Sequence, residues 1–291
     1  MSDASLRPGG FGGWLPALRK PGALPGFGLT LGFAVTYLSL IVLIPLAVLM
    51  LRAAETGLDG IWRIATEARV LAALQVSFLI SAGAALINAV FGVIVAWVLV
   101  RYRFPGRRLL DGAVDLPFAL PTAVAGIALA ALYAPNGWVG SLLAPWDIKV
   151  AYTPLGILVA LVFIGLPFVV RTVQPVLEDL DREVEEASAT LGASRRQTVF
   201  RVVLPALLPA LLTGVALAFA RAVGEYGSVI FIAGNMPFVS EIAPLLIVTR
   251  LEEFDYAGAA AIAAVMLAVS FVALLAINGL QAFSRRRLGD A

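Results

Sequence analysis

Between Arg69 and Arg101 the chain reads VLAALQVSFLISAGAALINAVFGVIVAWVLV, residues 70–100, without a single Asp, Glu, Lys or Arg. A helix of about 20 mostly apolar residues crosses the hydrocarbon of a bilayer. This run exceeds that length, so it is expected to tilt or to extend past the lipid tails. Five further stretches have the same character, near Leu29–Leu51, Gly112–Ala134, Pro154–Val170, Ala206–Ala233 and Ala257–Phe283. The reading is an all-α membrane protein with six transmembrane helices. Pro45 and Pro167 fall inside or near the ends of these spans, where prolines are tolerated.

Composition agrees. The chain is 60% hydrophobic and 14% charged, with a mean hydropathy of +0.94, whereas soluble domains carry roughly 25% charged residues. A formal net charge of +2 gives no footprint for nucleic acid. The chain has no Cys and no His, which excludes a disulfide framework, a thiol nucleophile, a Ser-His-Asp triad and a His-ligated zinc. Its lysines, Lys20 and Lys149, follow Arg19 and Ile148. Neither fits the GxxxxGK[ST] loop that cradles nucleotide phosphates. The sequence thus predicts no catalytic residue, no metal site and no cofactor in this chain.

Orientation is read from Lys and Arg, which concentrate on the cytoplasmic side of membrane proteins. One side collects Arg7, Arg19 and Lys20, then Arg101, Arg103, Arg107 and Arg108, then Arg171, Arg182, Arg195, Arg196 and Arg201, and finally Arg285, Arg286 and Arg287. The other has Arg52, Arg63, Arg69, Lys149 and Arg250. Both termini are therefore expected in the cytoplasm, with the acidic loop of Glu241, Glu252, Glu253 and Asp255 outside. The first apolar run is longer than the roughly 7–15-residue core of a secretory signal and reads as a retained span.

The fourth loop is the most informative. Leu177, Leu180, Val184, Ala187 and Leu191 recur at intervals of three and four, the period of an amphipathic helix. The opposite face has Glu178, Asp179, Asp181, Arg182, Glu185 and Glu186. Gly192 is suited to end this helix in a left-handed conformation. Ser194-Arg-Arg-Gln197 reads as a capping box that opens a second helix. An ordered helical pair in a protein with short loops elsewhere needs something to cover its apolar stripe, and docking of a cytoplasmic motor is the economical reason for it.

Glu186-Ala187-Ser188, then Gly192, then Val202-Val203-Leu204-Pro205 resembles the EAA signature of binding-protein-dependent ABC importer permeases. The spacing matches throughout, with Ser188 for the second Ala and Val202 for Ile. The resemblance covers residues 70–280. It implies a type I ABC importer permease fold with a cytoplasmic coupling helix pair. It also implies that Glu185, Glu186, Ala187, Ser188, Gly192, Leu204 and Pro205 couple the chain to a separate ATPase subunit, which would use ATP and Mg. The implied organisation is a cytoplasmic tail over 1–28 and a first span with its outer loop over 29–69. The core permease domain follows over 70–283, with the coupling loop at about 171–204, and then a basic tail over 284–291.

The fifth span contains Arg221-Ala-Val-Gly224-Glu225-Tyr-Gly227. Charges inside a span face the bundle interior as a rule. Arg221 and Glu225 are four apart and can neutralise each other. They form either a structural pair or, on the functional reading, place Arg221 beside the path of an anion. Gly224 and Gly227 are expected to permit close helix approach. No other charge is expected in the membrane interior.

Arg221–Gly227 followed by Gly234-Asn-Met-Pro237 resembles the sulfate and molybdate branch of these importers. Glu241-Ile-Ala-Pro-Leu-Leu-Ile247 and Phe254-Asp-Tyr-Ala-Gly258 narrow the resemblance to the T-type subunits of sulfate/thiosulfate permeases. It implies a bacterial inner-membrane subunit paired with a W-type sister permease, two copies of a cytoplasmic ATPase and a periplasmic sulfate-binding protein. Molybdate, tungstate and phosphate are the alternative substrates. A secondary transporter would call for an inverted repeat, and none is visible in the sequence. A membrane enzyme would need a catalytic cluster. The one pair worth naming, Asp111 and Asp115, is expected at a helix N-terminus, where the dipole favours carboxylates.

Overall fold

The structure, a computed structural model, describes residues 27–289, so the tail read over 1–28 lies outside the described residues but for its last two. Among the described residues every regular element is helical. They divide into two units, one ending at Val48 and one starting at Leu49, each described by itself.

The first unit is an apolar helical course. Helix α1 spans Phe27–Leu38, a π-helical turn covers Ser39–Leu43, and α2 (Ile44–Glu55) follows, with the boundary between the units falling inside it. Pro45 accounts for the wide turn. A proline has no N–H to give and its ring clashes with the carbonyl four residues earlier. In the π turn, Ile44 N–H instead donates to Ser39 O, one residue further back than in an α-helix. The device recurs before Pro205, where residues Val199–Val203 form a π turn and Leu204 N–H reaches Val199 O.

In the second unit α3 (Gly57–Ala65) leads into α4 (Ala68–Arg101). Then come α5 (Arg107–Val114), α6 (Leu116–Ala119), α7 (Thr122–Tyr133) and α8 (Trp138–Leu143), which is followed by a 3-10 turn at Ala144–Trp146. Helix α9 (Pro154–Asp179) precedes α10 (Arg182–Thr190) and α11 (Arg195–Thr198), then the π turn and α12 (Leu204–Val223). The chain closes with α13 (Val229–Ile232), α14 (Ala243–Glu252) and α15 (Tyr256–Gly289).

Helices α4, α9 and α12 form the centre. Ala96 and Leu99 of α4 pack on Val169, Val170, Val173 and Leu177 of α9 and on Leu207 and Ala218 of α12. In lipid, helices gain little by hiding apolar surface from one another, and close packing of small residues holds them instead. Gly214 shows this. A Cβ there would stand 2.9 Å from Val169 Cα and collide with Thr172 Oγ1. Nearer the start of α4, Val70, Ala73 and Leu74 meet Ala243 and Leu246 of α14 and Ile262 of α15.

Six helical stretches are long and apolar enough to cross a membrane: 28–55, 68–101, 122–146, 154–179, 195–223 and 256–279. Three of them differ from the sequence reading. The third span begins later, because Pro117 and Pro121 break the run into α5, α6 and α7. The fourth continues two turns beyond Val170, to Asp179. The fifth ends at Val223, where Gly224 caps it, so Val229–Ile232 forms a separate turn. Helix α4 has 34 residues, about 50 Å at 1.5 Å per residue, against about 30 Å of hydrocarbon. Its ends, marked by Arg69 and Arg101, reach past the lipid tails.

Candidate functional site

The loop that links α9 to α12 is built from two local motifs. The helix expected over 177–191 is split. Helix α9 holds Leu177, fully buried, and ends at Asp179, while α10 begins at Arg182 after an extended Leu180 and Asp181. The apolar stripe is therefore divided: Leu177 belongs to the core, whereas Val184, Ala187 and Leu191 stay exposed. Helix α10 ends in a Schellman turn. Gly192 sits at φ +84°, Gly192 N–H donates to Ala189 O at 3.0 Å and Ala193 N–H to Ser188 O at 3.1 Å, the pairing that satisfies orphan carbonyls at a helix end. The capping box at Ser194 is formed as expected: Ser194 N–H donates to Gln197 Oε1 at 2.8 Å and Gln197 N–H to Ser194 Oγ at 3.4 Å.

Two tethers fix this pair of short helices. Ser188 Oγ and Thr198 Oγ1 are 2.8 Å apart, joining α10 to α11. Arg101, at the end of α4, reaches across to the loop. Its Nη2 donates to Leu180 O at 3.1 Å and pairs with Glu185 Oε1 at 2.6 Å, with Trp97 beneath the guanidinium at 5.8 Å. Glu185 is thus committed within the chain, whereas Glu186 and Ala187 face outward. Leu204 and Pro205 open α12, half-buried. A Cβ on Gly192 would meet nothing within 4 Å, so the glycine serves the backbone turn and leaves open space above it.

Beside this loop Arg171 of α9 gathers a second cluster. Its guanidinium donates to Asp115 Oδ1 at 2.8 Å, Asp115 Oδ2 at 2.6 Å, Asp111 Oδ1 at 2.6 Å, the Asp111 carbonyl at 2.8 Å and Gln174 Oε1 at 2.7 Å. This corrects the reading of Asp111 as an N-terminal dipole partner, since it lies in the last turn of α5, where its charge needs a cation. Asp115 ends α5 and stands at the N-terminus of the short α6, but its side chain makes no cap there and turns to the same arginine. The two-pronged Arg–carboxylate geometry supplies that cation.

Arg221 and Glu225 do pair, Nη1 to Oε2 at 2.5 Å. Glu225 lies just past the end of α12 and is almost fully buried, while Arg221 is partly exposed. The other oxygen of Glu225 accepts from Ser228 N–H at 2.9 Å and Ser228 Oγ at 3.0 Å. The carboxylate therefore staples the 224–228 turn as well as neutralising Arg221. That turn seats on α7: a Cβ on Gly227 would collide with Thr122 Oγ1, and one on Gly126 with the Ser228 carbonyl. Gly224 differs from expectation. Nothing approaches it within 4 Å, so it terminates the helix and does not mediate packing.

Charge is also buried inside the protein at the end of α4 that Arg69 marks. Glu241 is 3% exposed and takes a forked contact from Arg69, Nε to Oε2 at 2.8 Å and Nη2 to Oε1 at 2.7 Å. Nearby, Arg250 bridges Glu67 at 2.7 Å and Asp255 at 3.3 Å. The 234–242 loop is further ordered by Ala243 N–H donating to Ser77 Oγ at 2.8 Å and Asn235 Nδ2 to Ile230 O at 3.0 Å. Arg69, Arg101 and Arg171 find partners 56 to 172 residues away, so no local spacing announces these pairs. The available signal is an Arg at the end of a long apolar run, which needs a counter-charge.

The profile described as "Binding-protein-dependent transport system inner membrane component" matches residues 88–290. The chain belongs to this family. As such an inner membrane component it is a multi-pass membrane protein, and the EAA-like loop and both Arg clusters around it fall inside the matched region. Over 274 residues it is 54% identical to the sulfate transport system permease protein CysT of Escherichia coli, covering 94% of this chain and 99% of that one. It is 52% identical to the Synechocystis protein of the same description over 256 residues, covering 88% and 90% of the two chains. A chain of the bacterial alginate ABC transporter, solved with an alginate pentasaccharide-bound periplasmic protein, matches with a TM-score of 0.73 at 15% identity, over 90% of this chain and 94% of that one. A chain of the MetNI methionine ABC transporter, inward facing, matches at 0.53 and 16% identity, over 75% and 99%. The all-helical, six-span permease fold read from the sequence is the one observed.

Proposed function

We propose that the chain is the permease subunit of an ATP-driven sulfate/thiosulfate importer, forming part of the translocation path and carrying no ATPase activity itself. The observation that supports sulfate best is the 54% identity, over 99% of its length, with a sulfate transport system permease protein. The EAA-like spacing through Glu186, Gly192 and Pro205 supports coupling to separate ATPase subunits that use ATP and Mg. On this reading the partners are a W-type sister permease, two copies of the ATPase and a periplasmic sulfate-binding protein. The arginine-rich end, with Arg101, Arg171 and Arg195, faces the cytoplasm together with both termini.

The mechanism follows from what is tethered and what is free. Val184, Ala187 and Leu191 offer an uncovered apolar edge on a helix pair that Arg101 holds against the end of α4. An ATPase seated on that edge moves the pair as a body, and the movement passes through Arg101 into α4 and through the π turn into α12. The spans supply little fixed positive charge, since Arg221, the one arginine read inside a span, is occupied by Glu225. Selectivity then rests mainly with the external binding protein.

The test is reconstitution of the chain in vesicles with the candidate sister permease, ATPase and binding protein. ATP-dependent uptake of labelled sulfate, inhibited by thiosulfate, is the expected result. Uptake of molybdate with none of sulfate would move the assignment to a neighbouring oxyanion. Uptake driven by an ion gradient without ATP would overturn it.

A further inference from the structure

At the arginine-rich end of the bundle a groove of about 740 Å³ runs along the outside of α4. Its wall inside the span is Val93, Ile94, Trp97 and Val98, and its rim is Arg103 and Arg195. Val93 lies eight residues before the end of α4, about 12 Å at the helical rise. Passing outward along the helix, the lining changes from apolar to one in which Arg103 and Arg195 stand among Tyr102, Phe104 and Val199.

The two arginines are unspent. Every other pairing described for the arginines of this end, Arg101 with Glu185 and Arg171 with the two aspartates, uses up its carboxylates. Arg103 and Arg195 are exposed and make no ion pair or side-chain hydrogen bond among the described residues, and no acidic side chain lines the groove. Two free guanidinium groups at the head of an apolar trough are complementary to one amphipathic anion.

We infer that this groove binds an anionic phospholipid, with its phosphate between Arg103 and Arg195 and its acyl chain along Val93, Ile94, Trp97 and Val98. Basic pockets at the cytoplasmic ends of membrane helices select anionic headgroups in this way. The site includes Arg195, next to Ser194, the cap of α11, so the lipid would brace the same helix pair that Arg101 holds. The inference rests on the arginine-rich end lying at a membrane surface. It does not depend on which surface that is.

Trp97 reports on the groove directly. The full-length chain is reconstituted in phosphatidylcholine vesicles containing small fractions of brominated phosphatidylglycerol or brominated phosphatidylcholine. Subtracting the quenching of a Trp97→Phe variant isolates the Trp97 signal. At about fivefold per arginine, half-quenching is expected at a roughly 25-fold lower fraction of the anionic lipid. The preference should vanish in Arg103→Gln/Arg195→Gln and survive in Arg103→Lys/Arg195→Lys, which keeps the charges and controls for folding. Equal quenching by both lipids in the native chain overturns the inference, as does a preference that survives the Gln pair or is lost in the Lys pair. Loss of quenching on adding the cognate ATPase would make the groove a protein interface and also refute it. Orientation is read separately by protease access from outside, so the two failures are distinguishable.

Discussion

Replacing Arg101 with Met removes the guanidinium that holds the α10–α11 pair while retaining a stem that packs on Trp97. Helix α10 has little else to hold it: Val184 is 43% exposed and Leu191 is 88% exposed, so apolar burial contributes little. What remains is Ser188 to Thr198, which joins the two short helices to each other. Hydrogen bonds to charged groups contribute about 1.5–3 kcal/mol each in favourable cases. Arg101 makes one to Leu180 O and an ion pair to Glu185, with 10% and 25% of the two side chains exposed. Taking about 2 kcal/mol for the clamp, after allowing for that partial hydration, the open population of the loop rises about 30-fold. Amide hydrogen exchange of peptides within 181–194 measures it, because exchange through local opening tracks that population. Glu185→Gln should give a smaller increase, and the double variant should fall short of the sum of the two, since both remove one contact. An increase below about threefold in Arg101→Met would show that the clamp does not position the loop.

Other outcomes follow from the same geometry. Gly192→Ala and Gly192→Leu should both weaken the turn by about 1–2 kcal/mol through the left-handed backbone alone, and the Leu variant should in addition uncouple ATP hydrolysis from uptake, since its side chain projects into the space left for a partner; hydrolysis and uptake measured in reconstituted vesicles separate the two effects. Arg221→Ala should lower uptake more than Glu225→Gln if the anion passes close to Arg221. Equal losses, with poor assembly by size-exclusion chromatography, would assign the pair a structural role. Gly214→Ala should force α12 from α9 and cost about 1–3 kcal/mol, as overpacking does, lowering the unfolding midpoint in detergent. An unchanged midpoint would mean that the helices are looser than the Val169 contact implies.

The helices were legible because a bilayer imposes a crude length rule, and residues 70–100 satisfy it without a charge. Local motifs were legible too: Ser194 to Gln197 and the φ of Gly192 depend on neighbours within six residues. The ends of helices were harder. Pro117 and Pro121 break the third span, yet Pro167 and Pro175 sit inside α9 without ending it, because neighbouring helices decide whether a freed carbonyl is tolerated. Leu177 matched the period of the loop helix and the core of α9 equally well, and only packing against Leu207 and Val203 distinguishes the two. Arg171 with Asp111 and Asp115, and Arg69 with Glu241, required knowing which helix ends meet, which one-dimensional spacing does not contain.

Helix α4 carries no proline, and its two ends are fastened to different loops, Arg69 to the Glu241 segment and Arg101 to the Glu185 segment. A rod of about 50 Å pinned in this manner behaves as a lever arm. Tilting it by 5° about one end displaces the other by about 4 Å at that length, more than the reach of any hydrogen bond. Work done on one face of the membrane can therefore break or make contacts on the opposite face without any residue between them changing its backbone conformation.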